Sequence, residues 1–298
     1  MGLSSFNVVW RLFYCLVIGL GVCILVVVIF FVICLAWKPQ RILEDWLFGS
    51  QSVEVVLLDY ASKDVIGDLG GMKVSIPREC ADYVEYDGDP AWGERRKGSV
   101  PERTFESKLK SFGIDVRFPE MICKESQELR RDYLAQSLKK ENPWLGIGIN
   151  AGENYPSLGA KATNRIARLV VDSVVKPTKF WFDNYERLSL PVYGLDAYVV
   201  TGIDPKTGKA AKDSEKTEDM FFEYDRNGLA STYISCGKTY VSNGVASCSM
   251  SFGLEPKARV NVTVRFVRGR LHQWRQIKDL TVKLLTGLEV KEAIRKVD

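Results

Sequence analysis

Hydrophobic residues are distributed very unevenly along this chain. From Leu12 to Trp37 (LFYCLVIGLGVCILVVVIFFVICLAW) there is no charged side chain, and every face of a helix built from it is apolar. A bilayer core needs roughly 20 such residues, whereas the apolar part of a cleaved signal has only about 7–15. On a helix rising about 1.5 Å per residue, Trp10 and Trp37 stand about 40 Å apart, matching the two interfacial belts. The pattern predicts a single uncleaved membrane anchor within residues 1–37. Residues 38–52, with the amphipathic RILEDWLF, follow as a juxtamembrane linker.

Beyond the linker the apolar residues come in short runs. VEVVLLDY (Val53–Tyr60), MKVSIP (Met72–Pro77), DYVEYDGDP (Asp82–Pro90) and FGIDVRFPEM (Phe112–Met121) read as strands separated by Gly, Pro and Asp-Gly punctuation. Ala91–Phe105 is a long polar loop, and the apolar, glycine-rich PWLGIGINAG (Pro143–Gly152) reads as a buried strand. Lys124–Lys140 is a mostly polar helix with Leu129, Tyr133 and Leu134 as its contacts. Thr163–Val175 places Ile166, Leu169, Val170 and Val174 on one helical face, with Thr163 as cap and Pro177 as stop.

After that proline the pattern is strand-rich: LPVYGLDAYVV, MFFEYD, STYISC, SCSMSFGL and RVNVTVRFV mostly alternate. The polar Gly202–Asp219 between the first two is expected to be a mobile loop. The last element, HQWRQIKDLTVKLLTGL, aligns Trp274, Ile277, Leu280, Leu284 and Leu288 on one helical stripe. The whole predicts an α+β soluble part with mainly antiparallel sheets and helices on one face, in two lobes spanning residues 53–176 and 177–298.

Charge narrows the function classes. A net charge of +4 from 41 basic and 37 acidic residues is too balanced to argue for nucleic acid. The basic residues flanking the span, Arg11 on one side and Lys38 and Arg41 on the other, do not choose an orientation. One span followed by a long domain predicts export. Of the seven cysteines, Cys15, Cys23 and Cys34 lie in the span. The remaining Cys80, Cys123, Cys236 and Cys248 allow three pairings. Proximity favours Cys236–Cys248 across a hairpin and leaves Cys80–Cys123, as suits an oxidising compartment.

Candidate chemistry is sparse. Glu85, Asp87 and Asp89 could form an acid/base pair or a calcium site, but Asp-Gly favours a solvated turn and the spacing supplies no EF-hand loop. Gly146, Gly148 and Gly152 match a dinucleotide fingerprint poorly, since the third glycine is misplaced and no helix opens there. His272 is the only histidine, so neither zinc nor a serine triad finds its ligands or base. Asn261-Val262-Thr263 matches a glycosylation sequon inside a strand. No cofactor or metal and no enzyme activity are expected. The picture is that of a binding protein.

Several phrases together carry a resemblance: MKVSIPRECADYVEYDGDP (Met72–Pro90), SKLKSFGIDVRFPEM (Ser107–Met121), and DMFFEYDRNGLASTYISCG through CSMSF to LHQWRQIKDLTVKLL (Asp219–Leu285). They resemble Gram-negative immunity proteins associated with type VI secretion, anchored in the inner membrane or lipidated and paired with toxic effectors, often phospholipases. The resemblance implies a periplasmic inhibitor that occludes a cognate effector, and it assigns no individual residue a role. The contact loops expected from exposure are Asp87–Arg103, with Trp92, Arg95 and Arg96, then Gly202–Asp219, with Lys206 and Lys209, and the hairpin tip Gly237–Ala246, with Tyr240. A structural or assembly subunit of an envelope complex is the alternative, supported by the amphipathic Lys38–Phe48 stretch.

Overall fold

Two adjacent glycines set the first turn of the fold. Gly70 and Gly71 adopt φ of 60° and 101°, a left-handed pair that β-branched residues avoid. They close a hairpin between β1 (Val65–Leu69) and β2 (Met72–Ile76), and the Asp68 carboxylate accepts from the Gly71 N–H at 2.6 Å. The first strand of this hairpin, VIGDL, was not among the expected strands because Gly67 and Asp68 interrupt its apolar run. Tertiary packing explains the glycine: a Cβ at Gly67 would lie 2.7 Å from the Ser107 carbonyl oxygen. The computed structural model describes residues 64–90, 93–95, 97–137, 139–155, 160–214, 217–238 and 245–290. The expected anchor, linker and Val53–Tyr60 strand lie outside these residues. Among the described residues, no helix is long and apolar enough to cross a membrane.

The main sheet is antiparallel throughout. It uses β3 (Asp82–Tyr86), β4 (Leu109–Arg117), β5 (Ile122–Cys123), β6 (Trp144–Asn150), β7 (Tyr185–Arg187), β8 (Asp196–Val200), β9 (Glu218–Tyr224), β10 (Ala230–Gly237), β11 (Ser247–Gly253) and β12 (Asn261–Val267). Their order is β3-β4-β6-β12-β11-β10-β9-β8-β7, with the short β5 also paired to β4. The segments expected as separate lobes share this one sheet, because β6 pairs with β4 on one edge and with β12 on the other. Gly148 sits opposite both Gly113 and Thr263, so two of its glycine positions lie at the centre of the sheet rather than in a nucleotide loop.

Helices cover both faces, correcting the expectation of one. α3 (Trp274–Gly287) joins the core that includes Phe221, Ile234, Met250 and Phe252. α2 (Ala160–Val175) packs with Tyr198, Met220, Phe222 and Ala230 in a second core. Adjacent residues on a strand point to opposite faces, so the apolar run Met220-Phe221-Phe222 in β9 requires cover on both sides.

The buried helix faces are also rotated from the expected stripes. In α2 the buried positions are Thr163, Ala167, Val170 and Ser173, while Leu169 is 64% exposed. Thr163 lies inside the helix rather than capping it. Bulky rings at Tyr198 and Phe222 fill the interface, so small helix residues face them. In α3, Thr281 and Leu285 are buried alongside Trp274 and Ile277, with Leu280 and Leu284 only partly buried. Thr281 escapes a hydrophobic count, but its hydroxyl donates to the Ile277 carbonyl at 2.7 Å and can be buried at little cost. α1 (Gln127–Gln136) starts at Ser126, whose Oγ accepts from Leu129 N at 3.2 Å. It docks Tyr133 edge-on against Trp144 and leaves Leu134 exposed, contrary to expectation.

Cross-links and charges lock these layers. Cys236 and Cys248 are directly opposite in the β10–β11 register and are bonded, and Cys80 is bonded to Cys123 in β5. Asp219 is buried between Lys238 and Arg268, and the Arg268 guanidinium also donates to the Cys236 and Gly237 carbonyls at 3.2 and 2.9 Å. Lys278 of α3 reaches the Glu223 carboxylate at 2.7 Å and the Thr232 hydroxyl at 2.8 Å. Burial alone would raise the Glu223 pKa, but Lys278, then the Thr232 and Ser231 hydroxyls, hold it below its ordinary 4.5.

Peptide mapping under non-reducing conditions should find both linkages. Removing the wider Cys80–Cys123 loop should cost about 4 kcal/mol of unfolding free energy, against about 3 kcal/mol for Cys236–Cys248, in the chain-entropy account. A carboxylate depressed in the folded state stabilises above its unfolded pKa, and that contribution is lost as pH falls through the lower folded value. Urea titrations from neutral pH to below 4.5 should therefore show wild type losing more stability than Glu223→Gln. Equal slopes would remove Glu223 from the acid response.

Candidate partner-binding surfaces

The three carboxylates singled out in VEYDGDP do not act together. Glu85 accepts from the Ser111 hydroxyl at 3.2 Å. Asp89 accepts from the Tyr86 N–H at 3.0 Å and from Arg103, whose guanidinium also lies 4.1 Å from the Tyr86 ring centre. Asp87 accepts from the Glu153 N–H at 3.1 Å. These contacts tie β3 and its turn to neighbouring loops. Among the described residues the one group with metal-ligand spacing is Cys80, Cys123 and Glu125, and its two sulfurs are joined to each other instead of being thiolates.

Asp87 and the β1–β2 turn border a cleft of about 490 Å³ whose lining includes Lys108, Glu153, Tyr155 and Arg259. Gly152 is required at its rim. Its φ is +48°, and a Cβ would lie 2.4 Å from the Asp87 Oδ1. Glu153 pairs with Lys110 at 2.9 Å, and Arg259 lies 5.4 Å from the Tyr155 ring centre. The Tyr155 ring is buried, and burial, followed by the nearby Glu255 carboxylate, raises its pKa. The cleft's carboxylates thus already bind backbone or lysine groups, an arrangement that shapes a surface.

The expected contact loops fare differently. Trp92, Arg96 and Tyr240 lie outside the described residues. Arg95 is exposed in the first loop, whose base is closed by Arg103 and Asp89. Where described, the segment from Gly202, expected as a polar loop, forms hydrogen-bonded turns. Buried Asp204 accepts from the Lys206 N–H and the Thr207 hydroxyl, both at 2.9 Å, while buried Thr217 donates to the Ala211 carbonyl at 2.9 Å. Lys206 and Lys209 project from this turn as exposed cations. His272 is exposed, with Nδ1 2.9 Å from the Gly269 carbonyl oxygen in its own turn.

The sequence reading missed the main apolar display. Leu169, Val171, Val174 and Val175 are exposed on α2, and Phe180, Phe182, Leu188, Leu190, Tyr193 and Ile203 continue the series. Phe180 and Phe182 stack at 5.6 Å, with the Lys179 ammonium 5.0 Å from the Phe180 ring centre. Periodicity had assigned Leu169 and Val174 to the core, and only the rotation of α2 against the sheet turns them outward. A further exposed ring, Tyr83, lies on the outer strand β3.

No protein-family model and no curated protein matches this chain. Among solved structures, one described as an immunity protein of the Stenotrophomonas maltophilia type IV secretion system is 13% identical. It covers 77% of this chain and 94% of its own, with a TM-score of 0.45. The Neisseria meningitidis iron-regulated outer membrane lipoprotein FrpD is 12% identical, over 77% of this chain and 93% of its own, with a TM-score of 0.40. At these scores neither superposition carries a function across.

Gly152→Ala should destabilise the chain by about 1–3 kcal/mol, through the left-handed backbone and the displaced Asp87. Thermal unfolding checks this, and an unchanged midpoint would show that the Asp87 contact is dispensable.

Proposed function

We propose that this chain is a non-enzymatic, membrane-anchored immunity protein whose exported part binds and occludes a cognate secreted toxin. The observation that carries the reading is the display of apolar side chains by a stapled scaffold. Leu169 and Val175 of α2, Phe180 and Leu190 of the following connections, and Tyr83 of β3 are exposed beyond what the fold requires, on a scaffold cross-linked by two disulfides. Tight inhibition favours such a surface, because little ordering entropy remains to be lost on binding.

Three further points support the reading. The two disulfides suit a periplasmic location. The Leu12–Trp37 block suits a single-pass inner-membrane anchor that keeps the inhibitor where a toxin acts. The phrases Met72–Pro90, Ser107–Met121 and Asp219–Leu285 resemble the immunity proteins of type VI secretion, which makes a lipase or phospholipase the expected toxin class.

Co-expression decides the matter. A periplasm-directed toxin encoded beside this chain should stop growth alone, and the full chain should restore growth and co-purify with it. Equal killing with and without the chain would end the proposal.

A further inference from the structure

One tyrosine is held in an unfavourable state that gains nothing within this chain. Tyr83 has φ of 51°, in the left-handed region that bulky side chains avoid. Its ring is also 91% exposed, the most of any large apolar side chain among the described residues. Backbone strain opposes folding, and a ring left in water contributes no burial energy to offset it. Left-handed non-glycine residues persist only where the surroundings impose them, and they cluster at functional positions.

The surroundings do impose this one. Cys80, three residues before it, is bonded to Cys123. Arg78 Nη1 donates to the Ala81 carbonyl at 2.9 Å. Asp82 receives the Lys124 ammonium at 2.8 Å, and the same ammonium reaches Asp115 at 2.6 Å. Burial would lower the Lys124 pKa, but these two carboxylates hold it above the ordinary value, so the clamp stays charged. The β3–β4 register shifts between Asp82 and Glu85, which leaves Tyr83 without a partner in the ladder of this outer strand.

The chain around the bracing disulfide has a sign. Ile122, 43% exposed, lies on β5, which pairs with β4 as β3 does. Glu79 and Glu125 flank the disulfide and are exposed, whereas Arg78 and Lys124 are engaged in the clamp. An apolar ring with exposed carboxylates beside the disulfide that braces it complements an apolar pocket bordered by lysine or arginine.

We propose that Tyr83 is the anchor of the toxin-binding face, entering an apolar pocket with a basic border on the partner protein; this rests on the inhibitor reading above. Rigid, exposed tyrosine presented without loss of freedom is a common centre of binding energy. Acidic neighbours raise the association rate and make it salt-dependent.

The test uses the full chain in detergent and the toxin encoded beside it, with affinity read by calorimetry. Tyr83→Ala and Tyr83→Gly should each weaken binding by roughly 30-fold or more. Glycine accepts the backbone conformation, so Tyr83→Gly should melt at or above the wild-type temperature. Glu79→Lys with Glu125→Lys should weaken binding and flatten its salt dependence. Arg226→Ala, in the exposed turn between β9 and β10, should stay within about threefold of wild type.

Tyr83 variants that bind within about threefold of wild type would overturn the anchor while leaving the inhibitor reading intact. So would a lowered melting point for Tyr83→Gly, which would make the ring structural. A Tyr83-dependent change in the chain's own oligomeric mass would assign the spot to a second copy and overturn the proposal as well. If wild type itself fails to bind the toxin, both readings fall together.

Discussion

The pairing of β6 on both edges is the constraint on which the rest of this structure depends. Trp144–Asn150 hydrogen-bonds to β4 on one side and β12 on the other, joining chain segments separated by more than a hundred residues. Once it is in place, strands from Asp82 to Val267 belong to one sheet. Gly146 and Gly148 keep its partly covered face free of bulk, while Leu145, Ile147 and Ile149 fill the other. Loss of β6 would leave two shorter sheets, each with an open edge.

Charge is used mainly to hold this frame. Asp219 between Lys238 and Arg268 ties β9 to the ends of β10 and β12, beside the Cys236–Cys248 bond. Lys278 ties α3 to β9 and β10 through Glu223 and Thr232. Lys124 joins β3, β4 and the chain after β5 through Asp82 and Asp115. Such pairs contribute modest net stability, but losing one partner leaves a charge poorly solvated, so each acts as a geometric lock. The side chains exposed around these locks are therefore presented by a frame that has little freedom to rearrange, as a docking surface requires.

Legibility followed the range of the forces involved. Strands such as Met72–Ile76, Ser247–Gly253 and Asn261–Val267 were visible because β-branched and alternating residues carry their own signal. The disulfides were legible from spacing, since Cys236 and Cys248 bracket a hairpin. VIGDL was missed because its glycine answers to Ser107, a distant carbonyl. The hydrogen-bonded turn after Gly202 was missed because a single buried aspartate, Asp204, organises it, and composition does not reveal burial. Tyr83 gave no signal, since the first tyrosine of DYVEY reads as an ordinary strand residue.

The sequence by itself determined the apolar block at Leu12–Trp37, the α+β class, the antiparallel strands and the two cysteine pairs. Each follows from local periodicity, turn chemistry or simple proximity. Only the tertiary structure decided that one sheet is continuous, that helices cover both its faces, and that Leu169 and Tyr83 face outward. Those outcomes depend on which strand edges meet and which side chains compete for the same volume, and contacts of that kind join residues far apart in the chain.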